Sequence, residues 1–365
     1  MSNAYMENGA ALRNGVRDWL RWWPVWAPVA ATLWSALYAT LGIWWMTGRG
    51  SFPFGAGPRS GPAASLFAGV NPAAASPVVA GLSLAGVVVA LMMLRGQPRA
   101  GVRRALLGYA WFMAVTLLVL VPDARAIVAV AYAPAFLIGA PFGWPPADFS
   151  DAIPWSVLNQ YLCIMGGLAW AATAIAFERA ARGVCIACGR GAAAPRWTYP
   201  AAARQWGKWA TATAVIMPLP YAITRFAWAF GIPLGIDPAV LRVAASLRDL
   251  GAAAALGSVA LTGSLLTLGL SMRWGDIFPR WLPFLRNRRV PPMLAIVPAT
   301  LASLLIFAAG LSVLRESIRS ALRGESWVAI DLVGLLWPLW GLSLGTATLA
   351  YYYRRRGRCA ECERR

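Results

Sequence analysis

The residues of this chain best suited to chemistry are four cysteines arranged as two short pairs. The pairs are Cys185 with Cys188 and Cys359 with Cys362, each separated by two residues. A two-residue spacer lets both sulfurs of a turn reach one ion, and four thiolates complete the tetrahedral shell of zinc. The pattern therefore predicts one structural zinc ion shared by both pairs, with flanking arginines offsetting the thiolate charge.

Other interpretations of these cysteines remain open on sequence alone. The pairs could be two unrelated, solvent-exposed thiol pairs, or they could carry redox chemistry. A thioredoxin-like role is disfavoured because no α/β pattern accompanies either pair. Cys163, inside a long apolar segment, is most simply a small core residue. A closed four-cysteine site leaves no position for water, so it predicts no catalytic residue.

The two cysteine pairs belong to a longer internal duplication. Sliding the chain by 174 positions superposes both pairs and the Arg-Gly that precedes each of them. A similar match links the start of the two halves, where Tyr38 corresponds to Tyr221 and Trp45 to Trp228. The pattern predicts two tandem repeats, each ending in a cysteine pair.

The elements that carry these pairs are predicted to be membrane-spanning helices. Hydrophobic residues make up 59% of the chain and charged residues 13%, whereas soluble domains have about 45–50% and about 25%. The apolar residues fall in blocks of about 20, the length that crosses a bilayer as a helix. The predicted fold is an all-α, polytopic membrane bundle of eight spans in two four-helix repeats.

The division into segments follows from these blocks. Residues 1–23 form a cytoplasmic amphipathic segment, residues 24–190 the first repeat and residues 191–365 the second. The predicted spans are 24–46, 77–94, 104–121, 155–177, 209–231, 250–272, 293–314 and 327–353. Residues 126–140 are apolar but short, which favours a re-entrant or interfacial helix over a span.

The charge pattern predicts the orientation. The net charge is +19, and nearly all of it is arginine in alternate loops, since Lys208 is the only lysine. Basic loops face the cytoplasm, so both termini are expected there, in the plasma or inner membrane. The same residues would contact anionic lipids on that face. Nucleic-acid binding is disfavoured, because the charge lies between membrane segments and forms no separate basic domain.

A few polar residues lie within the predicted spans. Arg225 and Asp331 are placed in the outer half of the second repeat, where they could form a structural ion pair or contact a substrate or ion. Asn159 and Gln160, in the fourth span, could hydrogen-bond between helices. A binding cavity, if the protein has one, is expected between the halves near these residues.

An enzymatic function receives little support. The chain contains no histidine, which excludes histidine-based triads and histidine-containing metal sites. Asp148 and Asp151 form a close acidic pair, and they fall with Asp123 in an outer loop. No glycine-rich phosphate loop opens a helix, so ATP hydrolysis by this chain is also unsupported.

One loop has no counterpart in the first repeat. Residues 273–292 alternate aromatic residues, prolines and arginines, which favours an anchor on the inner leaflet over an active site. With the duplicated layout, this loop resembles uncharacterised multi-pass membrane proteins of high-GC, actinobacterial-type bacteria. The resemblance implies no assigned function.

Three classes of function follow from the sequence. Tandem repeats and intramembrane polar residues favour a transporter or permease-like subunit. Few polar residues in the spans, a zinc site and a basic inner face fit a scaffold, assembly or regulatory protein instead. A membrane enzyme or thiol redox protein is the least favoured.

Overall fold

The computed structural model describes residues 22–56, 65–96, 98–139, 141, 153–191, 195–243, 247–280, 284, 286–324, 333–359 and 361–363. Across these residues the regular secondary structure is helical, apart from one isolated bridge between Ile277 and Arg289. Six helical segments are long and apolar enough to cross a membrane, which fits a membrane protein.

The helices are numbered here in chain order. They are α1 Trp23–Met46, α2 Pro72–Arg95, α3 Ala100–Val115, α4 Ala124–Gly139, α5 Trp155–Ala181, α6 Pro200–Ile216, α7 Leu219–Ala229, α8 Pro238–Val243, α9 Leu247–Leu268, α10 Pro292–Leu322 and α11 Trp337–Arg355. A π-helical turn, Thr116–Leu120, extends α3.

The first half packs around α1 and α5. Helix α1 lies against α2 and α5, and α3 lies against α5. The core contains the fully buried rings of Tyr38 and Trp170. Gly42 lets α1 approach the backbone of α2, since a Cβ there would lie 2.7 Å from the nitrogen of Ala80. Small residues commonly allow such close contact between apolar helices.

The second half has a corresponding set of neighbours. Helices α6 and α7 pack against α9, and α11 packs against α6 and α10. Its core includes Ile306, Leu344 and Tyr351. The halves meet where α10 contacts α4 and the π-helical turn. This arrangement brings the ends of α5 and α11 to one side of the bundle.

The six spanning segments correspond to six of the eight predicted spans, so the count of eight is not confirmed. The predicted fifth span, 209–231, is interrupted: α6 ends at Ile216 and α7 begins at Leu219. Pro218 lies in the break, and a proline supplies no N–H for helical hydrogen bonding. The predicted eighth span, 327–353, is described only from residue 333, and its helix α11 has 19 residues ending in arginines.

Other boundaries also differ from the sequence prediction. Helix α10 continues for two turns beyond the predicted end at residue 314, to Leu322. Residues 126–140 are largely contained in the 16-residue helix α4, which is shorter than the six spanning segments. The predicted amphipathic segment 1–23 lies almost wholly outside the described residues.

The loop after α9 folds onto α11. Its backbone forms a short turn in which Phe278 N–H donates to the Arg288 carbonyl at 3.0 Å. Tyr351 of α11 donates its hydroxyl hydrogen to the Gly275 carbonyl at 2.7 Å. Asp276 accepts a hydrogen bond from Arg354 at 3.1 Å. The loop is therefore held against the same end of the bundle as the cysteines.

Candidate metal centre

The four paired cysteines come together at the ends of α5 and α11. All four Sγ atoms lie within 4.8 Å of one another. Cys185 Sγ is 3.9 Å from Cys359 Sγ, and Cys188 Sγ is 3.5 Å from Cys362 Sγ. Zinc bonds sulfur at about 2.3 Å, so tetrahedral sulfurs are about 3.8 Å apart. The cluster has the donors and the size for one metal ion.

Both cysteine loops have the same backbone turn. Gly189 N–H donates to the Cys185 carbonyl at 2.7 Å, and Glu363 N–H donates to the Cys359 carbonyl at 2.9 Å. Gly189 and Glu363 both adopt left-handed φ angles, 72° and 55°. Glycine does so readily, whereas this conformation is uncommon for glutamate. The two loops thus share a geometry that aims both sulfurs of each pair to one side.

Two arginines hold the cysteine loops in place. Arg179, near the end of α5, donates to the carbonyls of Ile186 and Ala187 at 3.0 and 2.9 Å. Arg190, which is buried, donates from both terminal nitrogens to the Gly357 carbonyl at 3.0 Å. Arg190 therefore joins the loop after α5 to the loop after α11. Their two positive charges also offset part of the negative charge that four thiolates carry.

The thiols differ in their acidity. Burial raises the pKa of Cys188 to about 12. Burial acts in the same direction on Cys359, but hydrogen bonds from the backbone N–H groups of Cys362 and Glu361 and from the thiols of Cys188 and Cys362 together outweigh it and hold the pKa of that thiol at about 7. A metal ion must displace the protons that remain, because thiolates are the ligands.

Asn159 and Gln160 lie in a separate polar cluster within the first half. Tyr38 of α1 donates its hydroxyl hydrogen to Asn159 Oδ1 at 2.8 Å. Gln160 accepts from the Asp123 N–H at 3.0 Å and donates to the Asp123 carboxylate at 3.1 Å. Both amides are almost completely buried and hydrogen-bond between segments.

Asp123, which was expected in an outer loop, is buried. It is 2% exposed and pairs with Arg125, whose Nη2 lies 2.7 Å from its carboxylate. It also opens α4, because its carboxylate accepts the Arg125 N–H at 2.9 Å. Arg315 of α10 is close enough for its charge to interact with Asp123. A sequence signal existed in Pro122-Asp123 directly before an apolar run, because aspartate is a preferred residue at the start of a helix.

Arg225 is placed in α7, just after the interruption of the predicted fifth span. Its guanidinium lies over the rings of Tyr221 and Trp228, 4.8 and 4.6 Å from their centroids. Its Nε is buried and makes no hydrogen bond with the described residues. Asp331, its predicted partner, lies outside the described residues, as do Asp148 and Asp151.

Comparisons with known proteins found no match to any family model, curated protein or solved structure. The candidate centre and the polar residues of the bundle are therefore the basis for a functional proposal.

Proposed function

We propose that Cys185, Cys188, Cys359 and Cys362 bind one structural zinc ion that clamps the two halves of a polytopic membrane protein. The supporting observation is the convergence of four sulfurs within 4.8 Å from loops about 170 residues apart in the chain. Thiolate ligands select soft metals, and an all-sulfur tetrahedron is typical of zinc. Four protein ligands leave no site for substrate, so the role is structural.

The zinc content of the purified protein tests this proposal. We expect about one zinc ion per chain in the wild type prepared without chelators. Cys185→Ser and Cys359→Ser, one from each loop, should each lose it, because the remaining three thiolates form an incomplete shell. Cys163→Ser is the matched control, since Cys163 is a buried cysteine beside Tyr38 in the bundle.

The outcomes of this experiment are distinct. Zinc-free wild-type protein would contradict the proposed zinc site and favour thiol or redox chemistry for the four cysteines. Loss of zinc in only one of the two variants contradicts a shared site. Bound iron in place of zinc would leave the clamp intact but change the metal.

The two halves are proposed to be tandem repeats related by an axis along the membrane normal. Corresponding helices have corresponding neighbours in the two halves. The ends of α1 and α7 also match: Gly48 N–H donates to Trp45 and Gly231 N–H to Trp228, at 3.1 and 2.9 Å. In such an arrangement equivalent residues meet at the axis, as Cys185 does with Cys359 and Cys188 with Cys362.

The activity proposed for this framework is transport, as a permease-like subunit in the plasma or inner membrane with both termini cytoplasmic. The observation that favours it is Arg225 beside the interrupted helix α6–α7. Interrupted helices mark the binding sites of many transporters, and a cation at membrane depth is costly, so the cations found there usually serve a function. Arg225 would contact an anionic group of the solute.

A scaffold, assembly or regulatory role is the alternative. The polar cluster around Asp123 and Gln160 favours it, since these groups hydrogen-bond to one another. Such a cluster fixes helices relative to each other. In that case Arg225 and its aromatic neighbours would also be structural.

Substitution of Arg225 separates the two roles. In proteoliposomes loaded with a panel of anionic solutes, a transporter should show efflux that Arg225→Gln abolishes while the melting temperature is kept. Tyr199→Phe, at an exposed position outside the site, is the control. Absence of efflux in the wild type, together with a lowered melting temperature in Arg225→Gln, favours the scaffold.

A further inference from the structure

Two neighbouring cavities open on the second half, where the loop after α9 meets α6 and α11. The first has a volume of about 490 Å³ and is lined mainly by charged and small residues. The second has a volume of about 1100 Å³ and is almost entirely apolar. Leu270, which is 6% exposed, lines both cavities, so the two cavities adjoin at this residue.

The smaller cavity carries an excess of positive charge. Arg204, Lys208, Arg273 and Arg354 line it, and Asp276 is its one acid. Asp276 is already paired with Arg354 at 3.1 Å and with Arg355 at 3.4 Å. Among the described residues, the other three cations of this cavity form no ion pair. The cavity is therefore complementary to an anion with several acceptor oxygens.

The larger cavity is a groove between α9 and α10. Leucines from both helices line it, including Leu265, Leu266 and Leu294, and Trp274 lies at the loop end. These leucines are 56–63% exposed although the groove is concave. A groove with this lining accepts hydrocarbon and offers almost no partner to a polar solute.

The groove also has the length of an acyl chain. It follows α10 from Leu294 to Ile306, which is about 18 Å at about 1.5 Å per helical residue. One leaflet of the hydrocarbon core is about 15 Å thick. The groove begins at the loop end of α10, beside the cationic cavity, so a headgroup and a chain would lie in the order that they have in a bilayer.

We propose that these two cavities form one binding site for a phospholipid with an anionic headgroup. The phosphate lies against Arg204, Lys208 and Arg273, and an acyl chain occupies the groove between α9 and α10. This site rests on the proposed membrane embedding, but it requires neither the metal ion nor transport. It is a single specific site, distinct from the general attraction of a basic surface for anionic lipid.

Lipid retention by the detergent-purified full-length protein tests the site. Delipidated protein is mixed with equal amounts of phosphatidylglycerol and phosphatidylcholine with matched dioleoyl chains, and native mass spectrometry counts the bound lipids. We expect one phosphatidylglycerol to bind in preference to phosphatidylcholine. Arg204→Gln with Lys208→Gln should weaken that binding about 25-fold, since each basic residue near an anionic lipid contributes roughly fivefold.

Matched variants separate the site from bulk charge and bulk hydrophobicity. Arg99→Gln with Arg104→Gln removes the same charge from exposed positions of the first half and should leave binding unchanged. Ala299→Trp fills the groove and should reduce binding of both lipids, whereas Val297→Trp, which lies on α10 outside the groove, should not.

Three results would overturn the proposal. The first is equal binding of the two lipids by the wild type. The second is an equal loss of phosphatidylglycerol binding in the Arg204/Lys208 and Arg99/Arg104 double variants. The third is competition by glycerol phosphate that is as effective as competition by the whole lipid. Because Arg204 and Lys208 are exposed, their removal does not depend on refolding of a core. Zinc content measured on the same samples distinguishes failure of this site from failure of the metal clamp.

Discussion

At the scale of single residues, the convergence of the four cysteines is the feature best predicted from sequence. The two cysteine pairs are identical in spacing, and their repetition indicated that all four belong together. The supporting contacts of Arg179 and Arg190 could not be predicted, because they depend on which carbonyls the folded loops present. The left-handed backbone conformation of Glu363 could not be predicted either, because glutamate does not favour that conformation.

Asp123 shows why charge counting fails for buried residues. Its neighbours in the sequence indicated a loop, and its burial depends on Gln160, Arg125 and the distant helix α10. Buried carboxylates require such partners, which a linear pattern does not reveal. Asp123 therefore holds together segments that the sequence treated as independent.

We expect Asp123→Asn to destabilise the protein by about 3 kcal/mol, because it leaves Arg125 without its carboxylate in a buried setting. Thermal unfolding in detergent, followed by tryptophan fluorescence, measures the change as a lower melting temperature. Asp237→Asn is the control. Asp237 is an exposed acid that caps α8 through the Ala239 N–H, and asparagine caps helices about as well. Equal melting temperatures for both variants would contradict a stabilising role for Asp123.

At the scale of helices, the apolar blocks predicted which segments are helical better than where each helix ends. Pro218 interrupts one apolar block, and α10 continues into a charged stretch. In α10 the charges pair along the helix, with Glu316 3.3 Å from Arg323. Hydrophobicity alone misses both effects, since it ignores the missing N–H of proline and local ion pairs.

The contact between α1 and α2 gives a second prediction. Gly42→Ala should destabilise the protein by about 1–3 kcal/mol, because its Cβ would lie within 2.9 Å of three atoms of Ala80 and the helices must separate. Gly81→Ala, on the facing helix, meets no atom within 4 Å and should be neutral or stabilising. The melting temperature should therefore fall in Gly42→Ala and should stay the same or rise in Gly81→Ala.

At the scale of the whole molecule, the four-cysteine cluster restricts the topology. The two loops meet, so they lie on the same side of the membrane, and an even number of crossings must separate them. Helices α9 and α10 are long and apolar enough to provide two of these crossings. The interrupted pair α6–α7 and helix α11 must then either both cross or both remain on one side. The predicted eight spans and the six spanning helices both satisfy this condition.

Labelling with a membrane-impermeant maleimide tests this topology. After chelation and reduction, both cysteine pairs should react in inside-out vesicles and neither in right-side-out vesicles, if the arginine-rich face is cytoplasmic. Cys185→Ser with Cys188→Ser reports on the second pair alone, and Cys359→Ser with Cys362→Ser on the first. Reaction of the two pairs from opposite sides would contradict the cluster itself.

The position of the cluster after α11 has a consequence for how the protein is made. Cys185 and Cys188 leave the ribosome long before Cys359 and Cys362. The first pair can therefore supply only two of the four sulfur ligands until every later helix has been inserted. A chain with one helix inserted the wrong way would deliver its second pair to the opposite compartment. If the proposed metal ion binds there, a complete metal shell would therefore report that every later helix was inserted in the correct orientation.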